Sequence, residues 1–363
     1  MNILKRIGLA VAAPLLAFVI AAVGSSLMLL ASGDDVAGFW DVILTWPGHR
    51  NLVNIVNQAG ILYLAGIAAA IGFRMNLFNI GVEGQYRIGA FTAAVVAGEA
   101  WLPGKANTVL AIVAAMVAGA LWAGIAGLLR VTRGVSEVIS TIMLNAIAGL
   151  LVGYLIHKVG VSTGNSTQTK GVPESSWIEG FSLFDDSPTK VYGLILFAAV
   201  AGVAFWLLLN RTRFGFNLRA TGISETAAVA AGVDVKRMVV ISMLLSGAVA
   251  GLIGMPVLFG QAHNYGTSFQ VGIGFAGIAV ALLGRNNPVG IAFGALIFAF
   301  LSEQAGLLNI LVQISPEIVA VTQGIIVLAV VVAYEVVRRY RVRLEQATVA
   351  SEMAAPAGAE ATA

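Results

Sequence analysis

Long apolar runs constrain the fold of this chain more than any other feature. The first extends from Ile7 to Ala31, directly after Lys5 and Arg6. It is longer than the roughly 7–15 apolar residues of a signal peptide, and about 20 apolar residues suffice for a helix to span a bilayer. Only 11% of the residues are charged, against about 25% in soluble domains. We therefore predict an integral membrane protein that retains its first helix.

Further apolar runs alternate with polar connections along the chain. This pattern predicts an all-α polytopic membrane protein with about ten transmembrane helices. The predicted spans are residues 7–31, 52–73, 85–100, 108–129, 135–157, 190–209, 238–259, 269–283, 289–307 and 318–337. Residues 1–340 form the transmembrane domain, which includes an outer loop at 158–189 and a cytosolic segment at 211–237. Residues 341–363 are predicted to be a disordered cytosolic tail, because they are rich in Ala and Glu.

The basic residues give the predicted orientation. Ten spans place both termini on one side of the membrane, and that side receives 16 of the 21 lysines and arginines. Lysine and arginine concentrate in the cytoplasmic segments of membrane proteins. Both termini are therefore predicted to be cytoplasmic.

A polar, glycine-rich break at residues 73–91 separates the second and third predicted helices, and its pattern recurs later in the chain. The pattern Asn-x-Gly-x-x-x-Gln occupies Asn79, Gly81 and Gln85 in the first copy and Asn264, Gly266 and Gln270 in the second. Internal repeats are typical of transporter folds. Since the second and seventh predicted helices run in opposite directions, we predict an inverted repeat of helices 2–5 and 7–10. One break would then lie near the cytoplasmic face and the other near the outer face.

Polar side chains beside these apolar runs are candidates for lining a solute path. Glu83 is one, because an acidic residue in a membrane bundle is costly and is usually paired or functional. The i, i+4, i+8 spacing of a second set places its members on one face of the fifth helix. The predicted path residues are Asn79, Glu83, Gln85, Glu137, Thr141, Asn145, Asn264 and Gln270. Glu303 and Gln304 in the ninth helix are weaker candidates.

Two structural alternatives stay open for the acidic residues. Glu83 could pair with Arg74 or Arg87 in a break that is simply cytosolic. Glu137 could be a solvated or arginine-paired acid in the first turn of its helix, where the helix dipole favours an anion.

The cytosolic segment 211–237 is too long and too patterned to be a simple turn. Ser224 can cap a short helix that continues to about Ala231, and Gly232 can end it. Such a helix presents a small, smooth face that suits docking into a groove on another protein. The alternative is an amphipathic helix that lies on the lipid surface, which the scarcity of large apolar residues disfavours.

Catalytic signals are weak throughout the sequence. The three histidines, His49, His157 and His263, are dispersed and do not have the spacing of a metal site. No phosphate-binding loop of the Gly-x-x-x-x-Gly-Lys-Ser/Thr type occurs. We therefore predict a protein that is not an enzyme and binds no cofactor itself. If ATP drives its activity, another chain must hydrolyse it.

Two stretches carry a family resemblance. The runs Asn79–Gln85 and Gly274–Pro288 resemble permease subunits of bacterial ABC importers in the ribose, galactose, branched-chain amino acid and nucleoside branch. The run Leu218–Gly222 and the residues that follow it resemble the ATPase-coupling segment of that family. Residues 137–145 and the long outer loop after them look most like the nucleoside importers.

The resemblance implies a bacterial inner-membrane importer that works by alternating access. Its expected partners are a second permease subunit, often a different chain, cytosolic ATP-binding subunits that bind ATP and Mg²⁺, and an extracytoplasmic substrate-binding lipoprotein. No nucleic-acid partner is expected. The implied coupling residues are Arg219, Gly222, Ser224, Glu225, Ala228 and Gly232. The chain has Ser224-Glu225 where the commoner family form has Asn-Pro.

The sequence is also compatible with other functions. One is an ABC permease for a simple sugar or a branched-chain amino acid. Another is an autonomous transporter coupled to H⁺ or Na⁺ through Glu83 or Glu137. A membrane enzyme is disfavoured, since no set of nucleophile, base or metal ligands occurs.

Overall fold

The computed structural model describes residues 3–164, 166–266 and 269–354, and helices dominate them. The helices are α1 (Ile3–Ser32), α2 (Val36–Leu44), α3 (His49–Phe73), α4 (Val82–Glu99), α5 (Lys105–Arg133), α6 (Glu137–Val159), α7 (Leu196–Arg211), α8 (Arg213–Ile223), α9 (Glu225–Ala230), α10 (Val235–Leu252), α11 (Met255–Val257), α12 (Ile273–Leu283), α13 (Pro288–Val312) and α14 (Pro316–Ala354). Two short strands, β1 (Val161–Thr163) and β2 (Ser166–Gln168), pair antiparallel. Within the described residues, eight helices are long and apolar enough to span a membrane. The predicted all-α polytopic membrane fold is confirmed.

Two of the ten predicted spans are not among these eight. The predicted third span corresponds to α4, which carries Glu83, Arg87 and Glu99 within 18 residues. The predicted eighth span corresponds to α12, which has only 11 residues. At about 1.5 Å per residue, α12 covers roughly half of a ~30 Å hydrocarbon core. α12 begins late because the described residues 263–266 and 269–272 are not helical, and His263 and Gly272 have positive φ.

The packing of α3, α4, α5, α10 and α12 relates the two copies of the repeated pattern. In the predicted repeat, α3 corresponds to α10 and α4 corresponds to α12. α4 and α5 pack against α10, and α12 packs against α3. Each broken helix therefore contacts the leading helix of the other copy, as expected for repeats related by a two-fold axis. The inverted repeat itself stays a prediction.

The predicted outer loop at 158–189 is folded onto the segment that precedes α12. The amide of Thr169 donates to the Tyr265 carbonyl at 3.0 Å, and the amide of Val172 donates to the His263 carbonyl at 2.7 Å. The rings of Trp177 and His263 stack with their centroids 3.7 Å apart. These contacts give polar backbone partners to a stretch that has no helical hydrogen bonds of its own.

The chain divides into two units. The first consists of Met1–Thr45 and Gln304–Ala363. Within it, α1 packs along α14, and the side-chain amide of Gln304 donates to the Val42 carbonyl at 2.8 Å. The second unit is Trp46–Glu303, and it contains all of the predicted path and coupling residues.

The last helix is longer than the sequence analysis predicted. Disorder was predicted from residue 341, but α14 continues to Ala354. Residues 341–354 contain no glycine or proline, and most of them are good helix formers. Glu335 also pairs with Arg338 and Arg339 at helical spacing, which supports the helix that leads into this segment. Residues 355–363, the rest of the predicted tail, lie outside the described residues.

Candidate functional site

The helices that follow the two breaks, α4 and α12, begin against each other inside the second unit. A Cβ atom at Gly274 would lie 2.3 Å from the backbone nitrogen of Glu83, so only glycine permits this contact. The N-terminus of a helix carries a partial positive charge. Two positive ends therefore meet at one point and need a negative partner.

Glu83 supplies that negative charge. Its side chain is 3% exposed. One carboxylate oxygen accepts a hydrogen bond from the Gly272 amide at 2.9 Å, and the other accepts from the Gly274 amide at 2.8 Å. These amides belong to the first turn of α12, where helical N–H groups have no acceptor of their own. Glu83 therefore caps a helix that begins 190 residues later in the chain.

This geometry bears on two expectations. Arg74, one of the arginines considered for Glu83, donates to the Asn286 carbonyl at 2.9 Å instead. The placement of the two Asn-x-Gly breaks near opposite faces of the membrane stays a prediction, and the structure adds that α4 and α12 begin together. Residues 269–272, which directly precede α12, contact α4, where the Tyr86 hydroxyl donates to the Gln270 carbonyl at 3.2 Å.

Asn79 and Gln85 hold the first break closed. Each donates from its side-chain amide to the other, at 3.0 and 2.9 Å. The Asn79 side chain also accepts from the Gly81 amide at 3.0 Å and donates to the Ser246 hydroxyl at 2.8 Å. Both side chains are buried, and neither is among the residues that line the cavity described below.

Asn145 and Thr141, on the predicted polar face of α6, contact the break or their own helix. The Asn145 side chain donates to the Ile80 carbonyl and accepts from the Gly84 amide, each at 2.8 Å. The Thr141 hydroxyl donates to the Glu137 carbonyl at 2.7 Å. This face of α6 therefore supplies hydrogen bonds that a continuous helix would have made internally.

Glu137 has the arginine-paired geometry considered as an alternative. Arg130 donates to one carboxylate oxygen at 2.6 Å, and the Phe78 amide donates to the other at 3.3 Å. Arg130 also lies 4.0 Å from the Glu225 carboxylate at the start of α9. A chain of polar contacts therefore connects α9, the end of α5, the start of α6 and the first break.

A cavity of about 370 Å³ is lined in part by Tyr86, which follows Gln85 in α4. Of the eight predicted path residues, only Gln270 lines it, while Asn264 lies half-buried in the segment covered by the outer loop. The lining consists of polar residues Asn54, Asn57, Gln58, Gln261, Gln270, Ser302 and Glu303, aromatic residues Tyr86, Tyr192 and Phe269, and aliphatic residues Ile61, Ile253, Val257 and Ile273.

Most of these lining residues were missed at the sequence level. Asn54, Gln58 and Ile61 have the spacing of one helix face, and polar residues inside an apolar run could have drawn attention to them. Glu303 was noted as a weaker candidate. The remaining residues come from separate segments, and their convergence depends on tertiary packing.

Three pairs of polar side chains in the cavity lining are joined by hydrogen bonds. The Asn54 amide donates to Glu303 at 2.9 Å, and the Gln58 amide donates to Gln270 at 3.3 Å. The Tyr192 hydroxyl donates to Gln261. Among the fourteen lining residues, Glu303 has the only charged side chain.

The segment 211–237 has the local structure that was predicted for it. The Ser224 hydroxyl accepts from the Ala227 amide at 3.2 Å and caps α9, and Gly232 has φ +81° after that helix. Ala228 is buried, whereas Ile223 and Val229 are 87% and 60% exposed. The segment therefore exposes the apolar side chains of Ile223 and Val229, while Ala228 is packed against the rest of the protein.

Its inward face lies against the first break. A Cβ at Gly222 would lie 2.4 Å from the Arg74 carbonyl oxygen. Burial lowers the pKa of Arg74, and the nearby charge of Arg219 lowers it further. Movement of α8 would therefore act directly on the turn that leads into α4.

A membrane bundle with two broken helices that meet beside a polar cavity defines a multi-pass transport protein. Among the described residues, no cluster of three or more His, Cys, Asp or Glu side chains could hold a metal ion.

Comparison with known proteins identifies the family. Residues 51–331 match the family described as "Branched-chain amino acid transport system / permease component", so the chain belongs to this family. It is a permease subunit of an ABC transporter and not an enzyme, as the sequence analysis predicted.

Individual relatives resemble nearly the whole chain. The guanosine ABC transporter permease protein NupP of Bacillus subtilis is 36% identical, over 89% of this chain and 93% of the relative. The nucleoside ABC transporter permease protein NupB of Lactococcus lactis is 34% identical, over 88% and 90%. The glucose ABC transporter permease protein TsgB13 of Haloferax volcanii is 31% identical, over 88% and 86%.

Proposed function

We propose that this chain forms the translocation path of an importer for nucleosides, driven by a separate ATPase. The observation that carries the proposal is the composition of the cavity. A volume of about 370 Å³ falls within the ~300–1,000 Å³ typical of small-molecule sites. Its side-chain amides can pair with the donors and acceptors on a nucleobase edge. Its aromatic rings suit stacking against a base.

The charge of the lining supports a neutral solute. Glu303 is the charged residue among the lining side chains, and the lining includes no lysine or arginine. A branched-chain amino acid is a zwitterion. Its ammonium group could pair with Glu303, but its carboxylate would find no lysine or arginine in the lining. This disfavours the amino acid alternative. Two of the relatives reported above are named for guanosine or nucleosides and one for glucose, which leaves a simple sugar as the second candidate.

An autonomous transporter coupled to H⁺ or Na⁺ is poorly supported. It would use Glu83 or Glu137, the buried acids of the bundle. Glu83 accepts two backbone hydrogen bonds, and Glu137 pairs with Arg130. Both carboxylates therefore have structural partners, and the family relies on a separate chain for energy.

Coupling to the ATPase is assigned to residues Arg219–Gly232. In this proposal, a groove of the ATP-binding subunit receives the exposed side chains of Ile223 and Val229, and α8 transmits the movement to the break through Gly222. ATP binding must favour one permease orientation by differential affinity. If the termini are cytoplasmic in a bacterial inner membrane, as the basic residues predict, this segment would face the ATPase and the cavity would lie in the outer half.

The complete importer would contain further subunits. A second permease chain would complete the path, and a substrate-binding lipoprotein would deliver solute from the outer side. Pull-down of the tagged chain from detergent-solubilised membranes, followed by mass spectrometry, tests these partners. Recovery of this chain without a second permease or an ATP-binding subunit would contradict the proposed assembly.

Uptake measurements test the substrate. Cells with and without the gene are given radiolabelled guanosine or uridine, with ribose, galactose or leucine as competitors. We expect uptake to fall on deletion, to return with the unaltered gene, and to be reduced only by unlabelled nucleosides. Unchanged uptake on deletion, or competition by galactose or leucine, would refute the nucleoside assignment.

A further inference from the structure

The cavity is polar at one end and mainly apolar at the other. Along α3, Asn54, Gln58 and Ile61 follow one helix face, and four residues correspond to about 6 Å of rise. Asn54 pairs with Glu303 at the first level, and Gln58 pairs with Gln270 at the second. Ile61 marks the third level. A solute that lies along α3 therefore meets a carboxylate first, amides next and an apolar end last.

The apolar end has the composition of a site for an aromatic ring. Ile61, Ile253 and Ile273 contribute aliphatic surface to the lining, and Phe269 and Tyr86 contribute aromatic rings. Both rings lie beside Gly254, the neighbour of Ile253, at 3.1 and 3.2 Å from the position that a Cβ would take there. A nucleoside has a flat base at one end and a hydroxyl-rich ribose at the other. Placing the base at the apolar end puts the ribose beside Glu303.

Glu303 can accept more hydrogen bonds than the one from Asn54. An ionised carboxylate offers about four acceptor positions on two oxygens, and Asn54 donates to one of the oxygens. The 2′- and 3′-hydroxyls of ribose are neighbouring donors on one face of the sugar. Two parallel hydrogen bonds to one carboxylate are both strong and selective for geometry.

We propose that Glu303, positioned by Asn54, reads the cis-diol of ribose and makes the transporter prefer ribonucleosides to 2′-deoxyribonucleosides. This inference rests on the proposed nucleoside function and deepens it. Its chemical basis is that a site built to accept a hydroxyl proton rejects an analogue that lacks the hydroxyl. The same carboxylate would repel a 5′-phosphate and thereby disfavour nucleotides.

The test compares guanosine with 2′-deoxyguanosine in the complete transporter. Initial uptake rates of both labelled compounds are measured in a deletion strain that carries the wild-type gene, Glu303→Gln or Glu99→Gln. The substrate-binding lipoprotein is the same in all three strains, so a change in the rate ratio originates in the permease. Glu99 is an exposed acid of α4 that pairs with Lys170 and does not line the cavity.

We expect wild type and Glu99→Gln to prefer guanosine by about tenfold or more, since a hydrogen bond to a charged group contributes at this level. In Glu303→Gln the ratio should fall below about threefold, because one acceptor becomes a donor. A wild-type ratio near one, or an unchanged ratio in Glu303→Gln, overturns the inference. Loss of both rates by the same factor also overturns it, since that would indicate a purely structural role.

Two measurements keep the outcome interpretable. The amount of each variant in the membrane is determined by immunoblot. If Glu303→Gln does not accumulate, Asn54→Leu replaces it and must lower the ratio as well, because the carboxylate then loses its positioning amide. Absence of guanosine uptake by wild type would refute the nucleoside function. Equal uptake of the two nucleosides would refute only the recognition of the ribose cis-diol by Glu303.

Discussion

Glu83→Gln is the substitution that tests most directly how the two broken helices are joined. Glutamine has the same shape and retains one acceptor oxygen, but it presents an NH₂ group to the second backbone amide. The carboxylate now accepts from Gly272 and Gly274 at 2.9 and 2.8 Å. One of these bonds is therefore lost, and the charge at the start of α12 is lost with it.

The cost can be worked out from these contacts. A hydrogen bond to a charged group contributes about 1.5–3 kcal/mol, and an anion at a helix N-terminus adds about 0.3–2 kcal/mol. Interhelical hydrogen bonds in membranes average only about 0.6 kcal/mol, which favours the lower end of the sum. We expect a loss of ~2 kcal/mol, which corresponds to about a 30-fold change in an equilibrium constant.

Amide hydrogen exchange measures this loss where it occurs. The first turn of α12 should exchange about 30-fold faster in Glu83→Gln if it opens locally, while the middle of α3 stays unchanged. The melting temperature of the purified transporter in detergent should fall by about 3 °C. Glu99→Gln, which removes an exposed ion pair of the same helix, should cost less than about 1 kcal/mol.

Either of two results would refute this reasoning. One is a melting temperature of Glu83→Gln that matches that of Glu99→Gln. The other is a lowered melting temperature with no faster exchange at the start of α12, which would mean that Glu83 stabilises some other part of the bundle.

Three further predictions concern α6, the outer segment and the coupling segment. Asn145→Leu leaves two backbone groups of the first break unpaired, at about 1–3 kcal/mol each, and should lower the melting temperature, whereas Gly153→Ala on the same helix should not. Burial lowers the pKa of His263. The stabilisation that depends on neutral His263 is therefore complete above the usual pKa of about 6.5, and it is lost as pH falls through the lower pKa of the folded state. The melting temperature of wild type should fall between about pH 7.5 and 5.5, and His263→Phe should make that fall smaller. Gly222→Ala should reduce solute-stimulated ATP hydrolysis by about tenfold, because the new Cβ would lie 2.4 Å from the Arg74 carbonyl oxygen and a shift of α8 would loosen the coupling.

Each of these predictions has a result that would contradict it. Equal melting temperatures for Asn145→Leu and Gly153→Ala would mean that α6 does not support the break. An identical pH dependence in wild type and His263→Phe would assign the acid sensitivity to another group. Full stimulation of ATP hydrolysis in Gly222→Ala would separate α8 from energy coupling.

Local features of the sequence determined much of the architecture. The apolar runs predicted the membrane class and most of the spanning helices, because a helix that spans a bilayer needs about 20 apolar residues in succession. Ser224 and Gly232 predicted the ends of α9, since caps depend on the residues next to the helix. The polar stretch at 73–91 also marked the first break, although α4 already begins at Val82 within it. Each of these signals lies within a short stretch of chain.

The partners of the polar residues were decided by tertiary structure. Glu83 accepts from Gly272 and Gly274 across 189 and 191 positions of sequence, and no local pattern could reveal that pairing. The cavity depends in the same way on Asn54, Gln270 and Glu303, which belong to separate segments. Hydrogen bonds select partners by distance in space, whereas helical periodicity reports only which face a residue occupies. The sequence alone therefore determined where the helices break, and only the packed bundle decided that the broken ends meet and leave a polar cavity beside them.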